Sequence, residues 1–562
     1  MFFVIFILTF PCGVVNGKRL LFVLQETACL NAVNKCKISF MKSANHFLKG
    51  TMILAVSMAV VKIIGSLNWI ILARVLGGEG IGIYQMGFPI YLMAITISSA
   101  GIPVAISIIT AEKLAHKDFR GAKRVFNVSL RLLAASGLFF SVLVFFGASW
   151  LIDSHFVRDA RAYYSIVALS PAIFFVTFLA SFRGYLQGWQ IMTPTAVSEI
   201  VEQLVRVITM LIFADLLLPQ GLALAAGGAS MGAGAGAIAA LCVLMWFYTN
   251  LKKKFQKEIE AQDNSTPVES AGHIVKRLLT LALPVSLTSI MLPLGANLDL
   301  LIVPQRLEVA GLSLNSATEM FGYLTGMAVP LVNLAAIFTA AMTMSLVPSI
   351  SESKALNDWD SLRHKVQIAM RVALIITCPC CIGLFALAEH VAEFIYAAPM
   401  AADAIRVMSC GIIFLGIHQI STGILQGLGH TGIPVINMLI ACAVKVFLNW
   451  TLTADPVYGI KGAAFATVCD FAFAAILNMV WVYKLTKYSP SIMSFIKPML
   501  AAVVMGAEIF FVLQNLKGTL ALAVAFFSAV VVYAAVLFAI KGITKEDLET
   551  LPFIGRRLAK YL

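Results

Sequence analysis

Apolar stretches of about 20 residues, each long enough to cross a hydrocarbon layer as a helix, recur along almost the whole chain. The polar breaks between them are short. Fourteen such segments have approximate cores at 51–74, 82–110, 126–150, 162–182, 195–217, 221–248, 277–303, 320–348, 367–388, 406–425, 432–453, 460–483, 495–514 and 518–540. The longest polar stretch, Asn250 to His273, is too short to hold a fused ATPase, transferase or receptor domain. Energy for any transport is therefore expected from an ion gradient, the membrane potential or a partner.

The same landmarks occur twice, at a spacing of about 240 residues, as internal repeats of transporters do. Tyr84-Gln-Met-Gly87 matches Tyr323-Leu-Thr-Gly326, and Arg131 matches Arg371. Gly184-Tyr-Leu-Gln-Gly188 matches Gly423-Ile-Leu-Gln-Gly427; each is followed by a proline, Pro194 or Pro434, and then by a cation, Arg206 or Lys445. An even number of helices separates equivalent positions, so the two copies insert in the same direction. The expected fold is an all-α integral membrane protein of about 14 transmembrane helices: two six-helix lobes related by a parallel internal repeat, plus two C-terminal helices.

The predicted organisation is an N-lobe over 41–249, a cytoplasmic linker over 250–274, a C-lobe over 275–485, helices 13 and 14 over 486–541, and a cytoplasmic tail over 542–562. Residues 1–40 read as a non-native or signal-like extension. Their opening run Phe2 to Phe10 lacks a basic start and is short for a span, whereas Met41-Lys42 precedes a long apolar helix. The alternative is an extra amphipathic segment.

Composition agrees with the pattern: of 562 residues, 60% are apolar and only 12% charged, against about a quarter charged in soluble chains. The formal charge of +13 gathers in alternate connections, such as Lys113 to Arg124, Lys252 to Lys254 and Arg556 to Lys560. That asymmetry predicts cytoplasmic N- and C-termini and removes any need to invoke nucleic acid. Cys378, Cys380 and Cys381 sit in an apolar run without the partners a metal site needs, so helix packing is expected of them and no metal. No nucleophile with a nearby His and acid stands out in a polar segment, so an enzyme is not expected.

Three stretches are family-like: Arg74-Val-Leu-Gly-Gly-Glu-Gly-Ile-Gly-Ile-Tyr84, Ser99-Ala-Gly-Ile-Pro-Val-Ala-Ile-Ser107 and Asn297-Leu-Asp-Leu-Leu-Ile-Val-Pro304. From about residue 42 to the C-terminus the chain resembles polysaccharide-biosynthesis transporters of the stage V sporulation protein B type. These belong to the multidrug, oligosaccharidyl-lipid and polysaccharide (MOP) exporter superfamily. The resemblance implies a MATE- or lipid-flippase-like two-lobed fold, alternating access and a lipid-linked saccharide substrate in the bacterial cytoplasmic membrane. It implies no cofactor beyond coupling to Na⁺, H⁺ or the membrane potential, and sets no oligomeric state, a monomer being the expectation.

Charges within spanning helices are costly and mark pathways, pairs or interfaces. Lys62, Arg74, Arg206, Lys445 and Arg306 are the candidate substrate cations, suited to a diphosphate headgroup. Glu199, Glu202, Asp299 and Asp470 are candidates for charge pairs or ion coupling, with Asp299 expected to reach a cation of the first lobe. Asn68, Gln187, Gln426 and Asn449 are candidate polar cavity residues. Arg206 lies one turn from Glu202, so pairing with it and contact with substrate are both open. Pro89, Pro103, Pro284, Pro293 and Pro330 are expected to bend helices. The rival within the fold is a cation-coupled multidrug exporter, which would be expected to place acids in the cavity, whereas the first helix offers Lys62.

Overall fold

The computed structural model describes residues 19–99, 101–261, 269–489, 491–516 and 518–542, and among these the regular elements are helices. In chain order they are α1 (Arg19–Ser99), α2 (Ile102–Ala115), α3 (Phe119–Asp153), α4 (Tyr163–Gly188), α5 (Thr193–Leu217), α6 (Leu222–Ala261) and α7 (Ala271–Val309). The eighth predicted segment is broken into α8 (Leu314–Gly322), a π-helical turn Tyr323–Ala328, α9 (Val329–Ala335) and α10 (Ile337–Ala355). Then follow α11 (Trp359–His390), α12 (Ala402–Ser409), α13 (Gly411–Gly427), α14 (Gly432–Leu452), α15 (Ile460–Thr486), α16 (Ile492–Asn515) and α17 (Thr519–Ala539).

Breaks fall where the sequence permits them. Gly77 adopts φ 67° and ψ −179° within α1, which separates the first two predicted segments; a Cβ is disfavoured there. Pro330 follows the π-helical turn, and α8–α9 bends from α10 by 48°. A π turn lets carbonyls freed by proline find other donors.

Nine helices among the described residues are long and apolar enough to span a membrane, or up to eleven if each bent pair counts once. Fourteen were expected. Part of the difference is Val60–Ala115, which counts once but joins two predicted segments. Thr193–Leu217 falls outside because it carries Glu199, Glu202, Arg206 and Asp215. The outer surface is apolar, as lipid contact requires: Phe146 is 75% exposed and Phe527 71%. Of the predicted extension, residues 19–40 continue α1. The predicted linker is helical to Ala261 and again from Ala271, while 262–268 and most of the tail lie outside the described residues.

The apolar core is single at one end and forked at the other. Around Gly77, the 154–162 connection and residues 396–401, one cluster takes in both lobes, from Leu72, Tyr84 and Ile166 to Phe321, Met327 and Ile405. Towards the opposite end it divides. One branch holds Ile106, Phe126, Leu179 and Leu244 of the N-lobe, and the other holds Ile350, Val366, Ile424 and Val482 of the C-lobe. The predicted boundary assigns α7 to the C-lobe from residue 275 and its opening residues to the linker, yet its first turns, with Ile274, Leu278 and Ala282, pack in the N-lobe branch.

The paired glycine motifs make matching contacts. A Cβ at Gly184 would stand 2.6 Å from the Pro103 carbonyl oxygen, and one at Gly188 2.6 Å from Thr110 Cβ. At Gly423 it would meet Thr343 Cγ2 at 2.5 Å, and at Gly427 the Val347 oxygen at 2.8 Å. Thr343 stands 240 positions after Pro103, so α4 lies on α2 much as α13 lies on α10. Small residues at these places let backbones approach closely.

Candidate functional site

Charges inside the lobes collect in two clusters. In the N-lobe, α5 turns its exposed apolar stripe, Leu204, Ile208 and Ile212, outward, and helical spacing puts Glu199, Glu202 and Arg206 on the other side. Arg206 donates from Nη2 to Glu202 Oε1 at 2.8 Å, while Arg183 of α4 donates from Nη2 to Glu202 Oε2 at 2.8 Å. Arg183 Nε also reaches Ser198 Oγ at 3.3 Å. Glu199 acts on Arg183 and Glu202 at longer range. Of the two readings open for Arg206, the structure shows the pairing with Glu202, and Arg183 shares that carboxylate.

The C-lobe cluster joins α7 to α14. Lys445 Nζ donates to Asp299 Oδ2 at 2.5 Å, and Asn449 Nδ2 donates to Asp299 Oδ1 at 2.9 Å. Asp470 of α15 lies close enough to act on both charges, and its Oδ1 is buried without a hydrogen-bond partner among the described residues. The expected pairing of Asp299 with a first-lobe cation is corrected: helix α7 crosses towards the C-lobe by this depth, so the partner is Lys445. Lys445, with a side chain only 8% exposed, is a neutralised core charge here and not a bare substrate cation.

The remaining candidates disperse. Lys62 is exposed, and its ammonium makes no hydrogen bond or ion pair among the described residues. Asn68 Nδ2 points to Met210 Sδ at 3.0 Å, with its Oδ1 buried and unpartnered. Arg306 is corrected from a cavity cation to an anchor: its guanidinium lies 4.3 Å from the Trp450 ring centroid, and Nε donates to the Trp450 carbonyl at 2.9 Å. Among the described residues the Gln187 side chain makes a long 3.4 Å contact with Thr195 Oγ1 across the turn into α5. It is a turn residue, because the motif that carries it ends α4. Gln426 sits at the matching end of α13, half-buried, with no side-chain hydrogen bond among the described residues.

Arg74 closes the seam between lobes. It donates from Nε to the Ile395 carbonyl at 2.7 Å and from Nη2 to the Phe394 carbonyl. Near it Arg158 grips Glu308 through Nε at 3.1 Å and Nη2 at 2.5 Å. Arg161 binds Glu79 and Asp159 at 2.7 Å each and donates to Asn315 Oδ1 at 3.1 Å, while Thr318 Oγ1 donates to Asp159 at 2.9 Å. Burial pushes the Asp159 carboxyl up, but hydrogen bonds from Arg161 and Thr318 outweigh it and hold it below its ordinary range. At the centre Gln85 Nε2 donates to the Thr325 carbonyl at 2.7 Å and Asn297 Nδ2 to the Pro89 carbonyl at 2.8 Å. Gly78 and Gly82 of α1 cross Gly322 and Gly326, and a Cβ on any of them would overlap the opposing helix.

Sequence reasoning passed over Arg183, Arg158, Arg161, Asp159, Glu79 and Glu308. Arg183 was next to a motif read for its glycines, and the charged run Arg158-Asp159-Ala-Arg161 was the available signal for the seam. A buried strap of Asn437, Asn478 and Thr422, linked at 2.8 and 3.0 Å, also had no motif.

Two like-sized helical lobes, joined at one end with ion-paired clusters inside each, define a multi-pass membrane transporter of the MOP superfamily type. The chain belongs to the polysaccharide biosynthesis protein family, which it matches over residues 47–354; residues 308–451 also match the MatE family. It is 29% identical over 525 residues to stage V sporulation protein B of Bacillus subtilis, covering 92% of this chain and 99% of that one. A lipid II flippase MurJ structure, inward closed, superposes with a TM-score of 0.64 at 16% identity, covering 86% of this chain and 98% of that one. An inward-facing multidrug resistance MATE transporter of the MOP superfamily gives 0.64 at 16% identity, over 76% and 98%. These likenesses establish the fold.

Proposed function

We propose that this protein is a flippase that carries a polyprenyl-diphosphate-linked saccharide, lipid II or another envelope precursor, across the bacterial cytoplasmic membrane by alternating access. The observation that carries the reading is the forked core: the lobes share one apolar cluster at one end and hold separate ones at the other. A transporter caught open to one side has this form. That end, with both termini, is read as cytoplasmic, a reading supported by the excess of Lys and Arg in the connections there.

An anionic headgroup is supported by the guanidinium groups of Arg183 and Arg206 and the uncommitted ammonium of Lys62 in the N-lobe. The polyprenyl tail stays in lipid. Arg74 serves as a gate residue and Arg306 as an anchor. Coupling to Na⁺, H⁺ or the membrane potential is assigned to the C-lobe cluster of Asp299, Lys445, Asn449 and Asp470. The activity is read as transport, and no enzymatic step is assigned to these residues.

Complementation of a strain depleted of its lipid II flippase tests this, with membrane levels of the protein measured in parallel. Rescue by the wild-type gene is expected. Failure of a well-expressed wild type, together with protection against cationic drugs, would replace the reading with that of a multidrug exporter, which the unpartnered oxygen of Asp470 would then serve.

A further inference from the structure

Glu202 is held from two helices at once: Arg183 on Oε2 and Arg206 on Oε1, each at 2.8 Å. Two guanidinium groups converging on one planar anion is the arrangement with which arginines bind phosphate. The three side chains remain 14–20% exposed, so the group is reachable. Arg206 Nε is buried without a hydrogen-bond partner among the described residues, and the buried Tyr91 hydroxyl faces the same guanidinium. Bare, the two arginines would repel each other in a low-dielectric setting, and the carboxylate removes that cost.

We propose that Arg183 and Arg206 form a receptor for a diphosphate and that Glu202 is its internal placeholder. The diphosphate takes over the guanidinium edges that Glu202 occupies in the empty protein, and Glu202 reclaims them when the substrate leaves. Binding is then an exchange of one anion for another. The exchange keeps affinity moderate, which release on the far side requires, and Glu199, one turn away, adds to the competing negative charge. The inference rests on the flippase reading and names the part of the substrate this site takes.

The test uses the full-length protein in nanodiscs of zwitterionic lipid, titrated with farnesyl diphosphate, inorganic pyrophosphate and farnesol. Glu202→Gln is expected to bind farnesyl diphosphate about tenfold more tightly than wild type, since the competing charge is gone. Arg183→Lys, which keeps the charge but loses the fork, is expected to bind it about tenfold more weakly at unchanged thermal stability. Farnesol binding should not respond to either change. Farnesyl diphosphate should bind more tightly than pyrophosphate if the anion arrives on a lipid. Weaker binding by Glu202→Gln, wild-type affinity in Arg183→Lys, or equal affinity for the two diphosphates overturns the proposal. If wild type rescues the depleted strain while both variants bind as wild type does, the placeholder falls and the flippase reading stands. Absence of diphosphate binding together with failed rescue removes both.

Discussion

Replacing Lys445 with alanine separates a structural charge from a substrate-binding one. Its ammonium is 2.5 Å from Asp299 Oδ2, and the two side chains are 8% and 14% exposed. Asp470 lies near both, so Lys445→Ala leaves two carboxylates and no cation in one enclosed space. Removing one partner of a buried pair costs about 3–5 kcal/mol, whereas replacing both by apolar residues of similar volume is often neutral or stabilising by about 1–4 kcal/mol. Lys445→Ala is therefore expected to lose about 3–5 kcal/mol, and Lys445→Met combined with Asp299→Leu to recover more than half of it. Asn449 retains its place in the double variant but loses its acceptor, which sets part of the residual loss. Equilibrium unfolding in mixed micelles with sodium dodecyl sulfate, followed by circular dichroism, measures both. Lys445→Ala within about 1 kcal/mol of wild type, or a double variant no more stable than the single one, would refute the reasoning.

Gly82→Leu should block the joined end from closing, because a Cβ there overlaps the Thr318 carbonyl; the protein is expected to reach the membrane and fail to rescue a flippase-depleted strain, and normal rescue would sink the idea. The Asp159 network carries a definite pH sign. Because that carboxyl is held below its ordinary range, its contribution to the closed seam is fully present above the usual Asp value, about 4, and is lost as pH falls through the lowered one. Hydrogen exchange of residues 154–161, corrected for the intrinsic rate, should stay slow from about pH 7 down to about pH 5, and Asp159→Asn should exchange faster at neutral pH; a rise already between those pH values in wild type contradicts the assignment.

The membrane-spanning all-helical fold was legible because lipid imposes one requirement, an unbroken apolar helix, that composition and period express directly. The breaks were legible in part. Gly77 lies in a glycine-rich run, but nothing local distinguishes it from Gly78 or Gly80, and only its positive φ does. The charge clusters were half legible. Glu202 and Arg206 share a helix, so spacing brings them together; Arg183 and Asp299 come from other helices, and their partners depend on tertiary packing. Arg306 illustrates the opposite error: a cation near a helix end was read as facing a cavity, while Trp450, 144 positions away, supplies both a ring and a carbonyl for it.

How the joined end can open again follows from the kind of contacts that hold it. Arg74, Gln85 and Asn297 cross between lobes as side-chain donors to backbone carbonyls of residues 394–395, 325 and 89. Water can replace each of these contacts nearly one for one, so breaking them is far cheaper than exposing an equal area of packed leucine and isoleucine. The glycine crossing adds close van der Waals contact, and reopening it rehydrates the Tyr323 ring that lies over Gly78 and the Ile81 side chain that lies over Gly326. The ion pairs follow the same division: Arg158–Glu308 at the seam is about a quarter exposed and can be rehydrated, whereas Arg206 with Glu202 and Lys445 with Asp299 are more deeply buried within the lobes and costlier to separate. Strain should therefore concentrate at the seam while the lobes move as rigid bodies. Under the placeholder proposal, the Arg183–Glu202–Arg206 group is the exception: the incoming diphosphate would compensate the separated charges, confining that rearrangement to the loaded protein.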